Sequence, residues 1–307
     1  MAVASVLTLV SVVSTGCAST STESPPPTFE SSPSFESSPT PAALSPAAYQ
    51  AELAAAEGAV APVLDQVAKA PALDTLTAEL GRAQVAATDA ANRLDGVLPP
   101  DQIRVVHADL TAGLRQLAAD LSQLAGEVAS LQLCAAPAVT ASLSTKDSMN
   151  RLRSAAAALG QGSYQWGQFL PPPTAPPDRH LPNGHIVVDN RAPGSNQLEV
   201  DNGTGQDAVI TLSQAGRPIV SVYVASTKTA TLRRISDGAY DLYYTVGTDW
   251  DEPLRTFTRT CGFSRFDQLA TFTSTRSEYT ILSIGLQPTI GGTATTTKVD
   301  PQAFPKA

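Results

Sequence analysis

The 307-residue sequence predicts a multidomain α plus β protein, an antiparallel four-helix-type bundle followed by an antiparallel β-sandwich. Three observations carry that reading. From Ser45 to Gly160 Ala and Leu dominate, and apolar residues recur at alternating steps of three and four. Beyond Gly160 the composition turns to Val, Ile, Thr and Tyr in short alternating runs. Between the two lies the proline cluster Pro171 to Pro177, which neither pattern tolerates in its interior. The expected divisions are a signal peptide at 1–16, a disordered tether at 17–44, the bundle at 45–165, a Pro-rich linker at 166–183 and the β-sandwich at 184–305.

The first element is the apolar run AVASVLTLVSVV, Ala2 to Val13. It has signal h-region length and is too short to cross a bilayer as a helix. Ser14, Thr15 and Gly16 then lead into Cys17, an order that resembles the lipobox of bacterial lipoproteins, with Ser14 where that family has Leu, Val or Ile. The resemblance implies cleavage before Cys17, a diacylglyceryl group on its thiol, and a lipid anchor on the extracytoplasmic face of the cell membrane. The alternatives are a secretory signal with an incidental cysteine, or an ordinary membrane-anchoring segment. The tract behind Cys17 is Ser, Thr, Pro and Glu with only Phe29, Phe35 and Leu44 as large apolar residues. It buries too little surface to offset the entropy of ordering and is expected to act as a stalk.

Ser45 followed by Pro46 reads as an N-cap and a first-turn proline, opening the helical half. Its longest seam runs Ile103, His107, Leu110, Leu114, Leu117, Leu121, Leu124, Val128 and Leu131, the a/d spacing of a coiled coil. A second runs Leu73, Leu76, Leu80, Ala83, Ala87, Ala90 and Leu94. Shorter seams occur at Leu53, Ala56, Val60 and Val63 and at Met149, Leu152, Ala156 and Leu159. Pro62 is expected to kink or divide the first helix, Pro71 to separate it from the second, and Pro99-Pro100-Asp101 to turn into the third. His107 is the one titratable side chain on a seam and reads as a partly buried histidine, since the other seams offer it only Ala, Leu and Val.

Trp166, Phe169 and Leu170 open the linker as an apolar latch that folds back onto a domain. The strand-like runs are HIVVD, NQLEV, AVITL, IVSVYVA, TATLRRI, YDLYYTVG, LATFTST and YTILSIGLQP. Turn chemistry bounds them at Asp201-Asn202-Gly203, Ala215-Gly216, Asp237-Gly238 and Gly291-Gly292. The loop DNGTGQD, residues 201–207, suits a tight hairpin.

The series LEVDNGTGQDAVITL, VYVAS, ISDGAYDLYYTVGTDWDEPLRTFTRTCGFSRFD and IGLQPTIGGTATTTKVDPQAFP is similar to a β-domain that recurs at the C-terminus of many uncharacterised bacterial proteins, behind varied N-terminal modules. The match covers 184–305, and its most specific parts are the DGxY turn, the GTDWD stretch and the GGxAxT…VxPxxFP ending. ISDGAYDLYY is also similar to the strand-turn-strand of carboxypeptidase regulatory-like and transthyretin-like sandwiches. The Ala-rich, proline-broken front half resembles actinobacterial lipoproteins. These resemblances imply a β fold and lend no activity, cofactor or catalytic residue.

A net charge of -8 and a pI near 4.9 argue against nucleic acid as a partner, because phosphate binding calls for clustered Lys and Arg. Neither a GxSxG elbow, a P-loop nor a dinucleotide fingerprint is present, and the histidines number only three, His107, His180 and His185. Asp249, Asp251 and Glu252 around Trp250 are a weak candidate metal site, lacking the EF-hand order. His180 and His185 are two ligands without a third. With Cys17 acylated, Cys134 and Cys261 are left as a pair in an exported protein and are expected to form a disulfide joining the two halves; the alternative is two separate buried thiols. The function expected is that of a non-catalytic, lipid-anchored surface protein, using no cofactor, that binds an envelope component or a protein partner. The alternative is a cell-wall-directed hydrolase using carboxylates such as Asp249, Asp251 or Glu252, which need only the right separation in space.

Overall fold

A computed structural model describes residues 42–287 and 294–305, which belong to one compact unit. Cys17, the signal peptide and nearly all of the tether lie outside the described residues, as do Gly291 and Gly292. The architecture is mixed α plus β. Five helices, α1 (Pro46–Lys69), α2 (Leu73–Asp95), α3 (Arg104–Ala129), α4 (Ala136–Ser144) and α5 (Asp147–Gln161), precede all the strands.

The helix starts follow their local chemistry. Ser45 caps α1 by accepting from Ala48 N–H at 3.2 Å, with Pro46 in the first turn. Pro99 and Pro100 lead into a 3-10 turn at Asp101–Ile103 before α3. The seam residues from His107 to Val128 are buried, whereas Leu131 lies past the helix end with φ 58°. Helices α1, α2, α3 and α5 share one apolar cluster with α4, and Ala83, Ala87 and Ala90 let α2 approach its neighbours closely. Trp166 closes this cluster, stacked edge-on with Phe169 at 5.5 Å.

Pro62 does not divide the first helix; α1 runs unbroken through it. The physical reason is its placement. Pro62 and Gly58, whose carbonyl loses its i+4 donor, both face solvent, so water takes the orphaned oxygen and the ring has an open side.

The strands are β1 (Ile186–Asp189), β2 (Asn196–Asp201), β3 (Asp207–Gln214), β4 (Arg217–Val224), β5 (Thr229–Ile235), β6 (Gly238–Asp251), β7 (Thr256–Phe266), β8 (Ala270–Phe272), β9 (Ile281–Gly285) and β10 (Thr296–Lys298). A seven-stranded sheet has the order β1-β4-β3-β6-β7-β10 with β8 on β6, and a three-stranded sheet has the order β5-β2-β9. All pairings are antiparallel except β2 with β9, which is parallel. Ala215-Gly216, with φ 49° and 75°, makes the β3–β4 hairpin as its sequence demands. The DNGTGQD loop is not a hairpin: β2 and β3 belong to different sheets, and the loop carries the chain across. Asn202 holds that crossing, fully buried and donating to the carbonyls of Gln206 and Val224 at 2.9 Å while accepting from Thr204. Strands β7 and β10 lie where no strand was read, and GTDWD is the end of a 14-residue strand.

The two faces of the large sheet have different partners. Ile210, Leu212, Val220, Val222 and Leu242 pack on Leu198, Val200 and Leu232 of the small sheet. The opposite face carries Val209, Tyr223, Trp250 and Phe257. The α3–α4 connector reaches the sheet and pairs with the open edge of β7: Cys134 N–H donates to Thr258 O at 2.7 Å, Thr260 N–H to Gln132 O at 3.0 Å and Cys261 N–H to Leu131 O at 2.9 Å. Beside these bonds the sulfurs of Cys134 and Cys261 sit at disulfide distance, 2.10 Å. The Pro171–Pro177 stretch has no regular structure and is tacked to both halves, by Arg153 on Pro171 O, Ser144 on Thr174 N and Arg259 on Pro177 O.

Candidate functional site

The residues that converge do so at the end of β6. Its register slips opposite β7 between Val246 and Thr248, and the slip falls on Gly247, where an added Cβ would lie 2.4 Å from Phe257 Cβ. Only glycine passes there, and the resulting bulge re-aims the residues that follow. Asp249, with φ 60°, turns into the interior; Trp250 faces the helical side; Asp251 closes the strand and accepts from Leu254 N–H at 3.0 Å to shape the β6–β7 turn.

Arg179, from the linker, meets both carboxylates. Its main-chain N–H and its Nε donate to Asp249 Oδ1 at 2.9 and 2.7 Å, its Nη2 donates to Asp249 Oδ2 at 2.8 Å, and its Nη1 donates to Asp251 Oδ2 at 2.9 Å. Thr258 Oγ1 completes the set on Asp249 Oδ2, and Trp250 N–H donates back to Arg179 O at 2.9 Å. Burial pushes the Asp249 carboxyl up, but the hydrogen bonds from Arg179 and Thr258 outweigh it and hold the group below the usual carboxylate range. The guanidinium is held charged, chiefly by its hydrogen bonds to Asp249.

This arrangement does not fit the calcium reading of Asp249, Asp251 and Glu252. The oxygens of both aspartates already accept from donors, Arg179 pairs with both of them, and Glu252 is exposed in the turn beyond. No group of three His, Cys, Asp or Glu suited to a metal occurs among the described residues. The two linker histidines also part company. His180 Nδ1 bonds Asp207 Oδ2 at 2.6 Å, and that buried aspartate also accepts from Tyr223 OH and, at 2.8 Å, from Ser226 N–H. The pKa of His180 is raised, first by its hydrogen bond to Asp207. His185 is exposed and lines an open cleft of about 380 Å³ with Glu252, Pro253 and one side of Trp250. His107, read as having no polar neighbour, has Tyr49: the hydroxyl meets its Nδ1 at 3.0 Å. Burial lowers its pKa, opposed by a hydrogen bond to Leu94 O.

The other side of Trp250 forms part of a cavity of about 140 Å³ between the α1–α2 turn and the large sheet. Pro71, Leu73 and Leu76 line it from the helices; Val209, Thr245, Trp250 and Phe263 from the sheet; Cys134 sits at the joint. Phe304 from the C-terminal segment closes one end, held edge-on to Tyr243 and Phe263 at 5.6 and 5.3 Å. Arg179 and the cavity had no signal in the sequence: a single arginine in a proline tract gives no hint of the strand end it will meet.

No family model matches the chain, and no curated protein or solved structure matches it either.

Proposed function

We propose that the chain is a lipid-anchored, non-catalytic protein of the extracytoplasmic membrane face, attached through Cys17, held off the membrane by the 17–44 tether, and built to bind an envelope component or a protein partner. The folded part is read as a four-helix-type bundle, with α4 as a short fifth helix, joined to a β-sandwich of the recurrent bacterial kind quoted above. The observation that carries the reading is the Cys134–Cys261 pair at 2.10 Å, because such a bond persists in an oxidising, exported setting. Rigid joining of the helical and β parts, with an apolar cavity at the joint, suits recognition. The hydrolase alternative draws no support from Asp249 and Asp251, which share one guanidinium.

The test is the intact mass of the full chain extracted from the membrane fraction of its host, taken with thiol blocking before and after reduction. Cleavage before Cys17 with a diacylglyceryl adduct, and two thiols released only by reduction, is the expected result. An uncleaved, unlipidated chain with free thiols overturns the proposal.

A further inference from the structure

Strand β9 ends the small sheet with an edge that nothing among the described residues pairs. Its even-numbered residues bond β2: Gln197 N–H donates to Thr280 O at 3.0 Å, and Leu286 N–H donates to Asp201 O at 3.0 Å. The main-chain groups of Ile281, Ser283 and Gly285 therefore point the other way, and none of them has a hydrogen-bond partner among the described residues. Such an edge is a template for one more strand. The other strands at the ends of the two sheet orders carry exposed charges that blunt it: Arg233 and Arg234 on β5, Asp189 on β1 and Lys298 on β10. Tyr279 to Gln287 contains no charge and no proline, and it leaves Tyr279 48% and Ile281 50% exposed on one face of the strand.

Nothing among the described residues requires a glycine at position 285. Its backbone is outside the left-handed region, and an added Cβ would meet no atom within 4 Å. Glycine inside a strand costs chain entropy and forgoes side-chain packing, and its usual reason there is the close approach of another chain. Ser283 is the middle residue of β9. A two-fold axis beside it sets Ser283 against the partner's Ser283 and Ile281 against the partner's Gly285, so the bulky side chain of each copy fills the space the other leaves. All three residues turn their main-chain groups to the edge, so each antiparallel pair exchanges two hydrogen bonds. We propose that two copies of this chain pair through β9, antiparallel about Ser283, into one continuous sheet of order β5-β2-β9-β9-β2-β5. No like charges meet across this seam, whereas the same pairing through β5 would bring arginines together. The contact is isologous and closes on itself, so assembly stops at two copies. This goes beyond the binding reading above and needs neither the lipid nor an envelope ligand.

The test uses the full chain, solubilised in detergent with the Cys134–Cys261 link intact. In an antiparallel hydrogen-bonded pair the two Cα atoms lie about 5.5 Å apart, within disulfide reach. S283C is therefore expected to give a reducible dimer under mild oxidation, at least tenfold above the parent, whose linked peptide contains position 283 of both copies. G285V and I281K, each combined with S283C, should cut that yield at least tenfold. Both should keep the melting temperature of S283C, since position 285 has open space in the single chain and Ile281 is half-exposed. Sedimentation equilibrium of the parent should give two copies per particle. A monomeric parent, a linked product of S283C no greater than the parent's, a link from position 283 to a different protein, or an undiminished yield in G285V overturns the pairing. None of these results bears on the mass measurement, so the anchor and the dimer stand or fall separately.

Discussion

Arg179 holds Asp249 through its main-chain N–H at 2.9 Å and through Nε and Nη2 at 2.7 and 2.8 Å, a forked grip on a carboxylate that is 0% exposed. Removing the guanidinium strands a buried charge. R179A is expected to lose about 3 kcal/mol, the lower end of the usual cost because the arginine side chain is itself 42% exposed. The double variant R179A/D249N should recover part of that loss. Chemical denaturation of the three proteins at pH 7 checks it.

The same pair sets an acid limit. The folded pKa of Asp249 lies below the unfolded value, so its contribution is fully present above about pH 4 and declines as pH falls through the folded pKa. Melting temperatures between pH 3 and 7 should fall more steeply at the acid end in the parent than in R179A/D249N.

Two histidines titrate in opposite senses. His107 is held neutral by burial, so its contribution is present above the unfolded pKa of about 6.5 and declines as pH falls through its lower folded value. His180 is raised by Asp207, so its contribution is present below about 6.5 and is lost as pH rises through the folded value. Imidazole proton spectra should place His180 above and His107 below the free value. Y49F, which takes the hydroxyl from His107 Nδ1, should cost about 1 kcal/mol. An unchanged denaturation midpoint in Y49F would remove the pair from the account of the helical core.

Reduction should loosen the whole fold. The Cys134–Cys261 link closes a span of 127 residues, which on the chain-entropy model is worth about 4 to 5 kcal/mol. Adding a thiol reductant, or making C134A/C261A, should lower the melting temperature by a corresponding margin, and the two treatments should agree. A reductant effect that persists in the double alanine variant would point to another cause.

Pro62 offers the reverse case. It withholds a helical hydrogen bond from Gly58 on an exposed face, so P62A should stabilise α1. The helix-interior penalty, less the restriction proline places on the unfolded chain, leaves a gain of about 2 kcal/mol. A thermal melt reads it directly.

The helical half was legible because its signal is periodic: the seam from His107 to Val128 reads straight into buried positions. Pro62 misled because a proline's effect depends on whether its i-4 carbonyl reaches water, a tertiary fact. In the β half the alternating strands were readable, but TFTRTCGFSRF was missed; its polar and apolar residues do not alternate cleanly because the strand has a different neighbour along each part of its length. DNGTGQD was read as a hairpin from its turn residues, which are equally suited to a change of sheet. The pairing of Cys134 with Cys261 followed from counting cysteines. Arg179 and the cavity at Trp250 were invisible, since they depend on residues separated by 70 positions or more meeting at a strand bulge.

The annealing of residues 131–134 onto β7 also fixes an order in time. In a chain laid down from its N-terminus, α1, α2 and α3 are complete while the strand that their tail must pair with has yet to appear, more than 120 residues downstream. Local helix formation is fast, and contacts of such long sequence separation are slow to close. The joint therefore waits on β7, and every earlier species carries an unpaired tail on α3. Arrival of β7 is the commitment step, and the sulfur link then makes it hard to reverse.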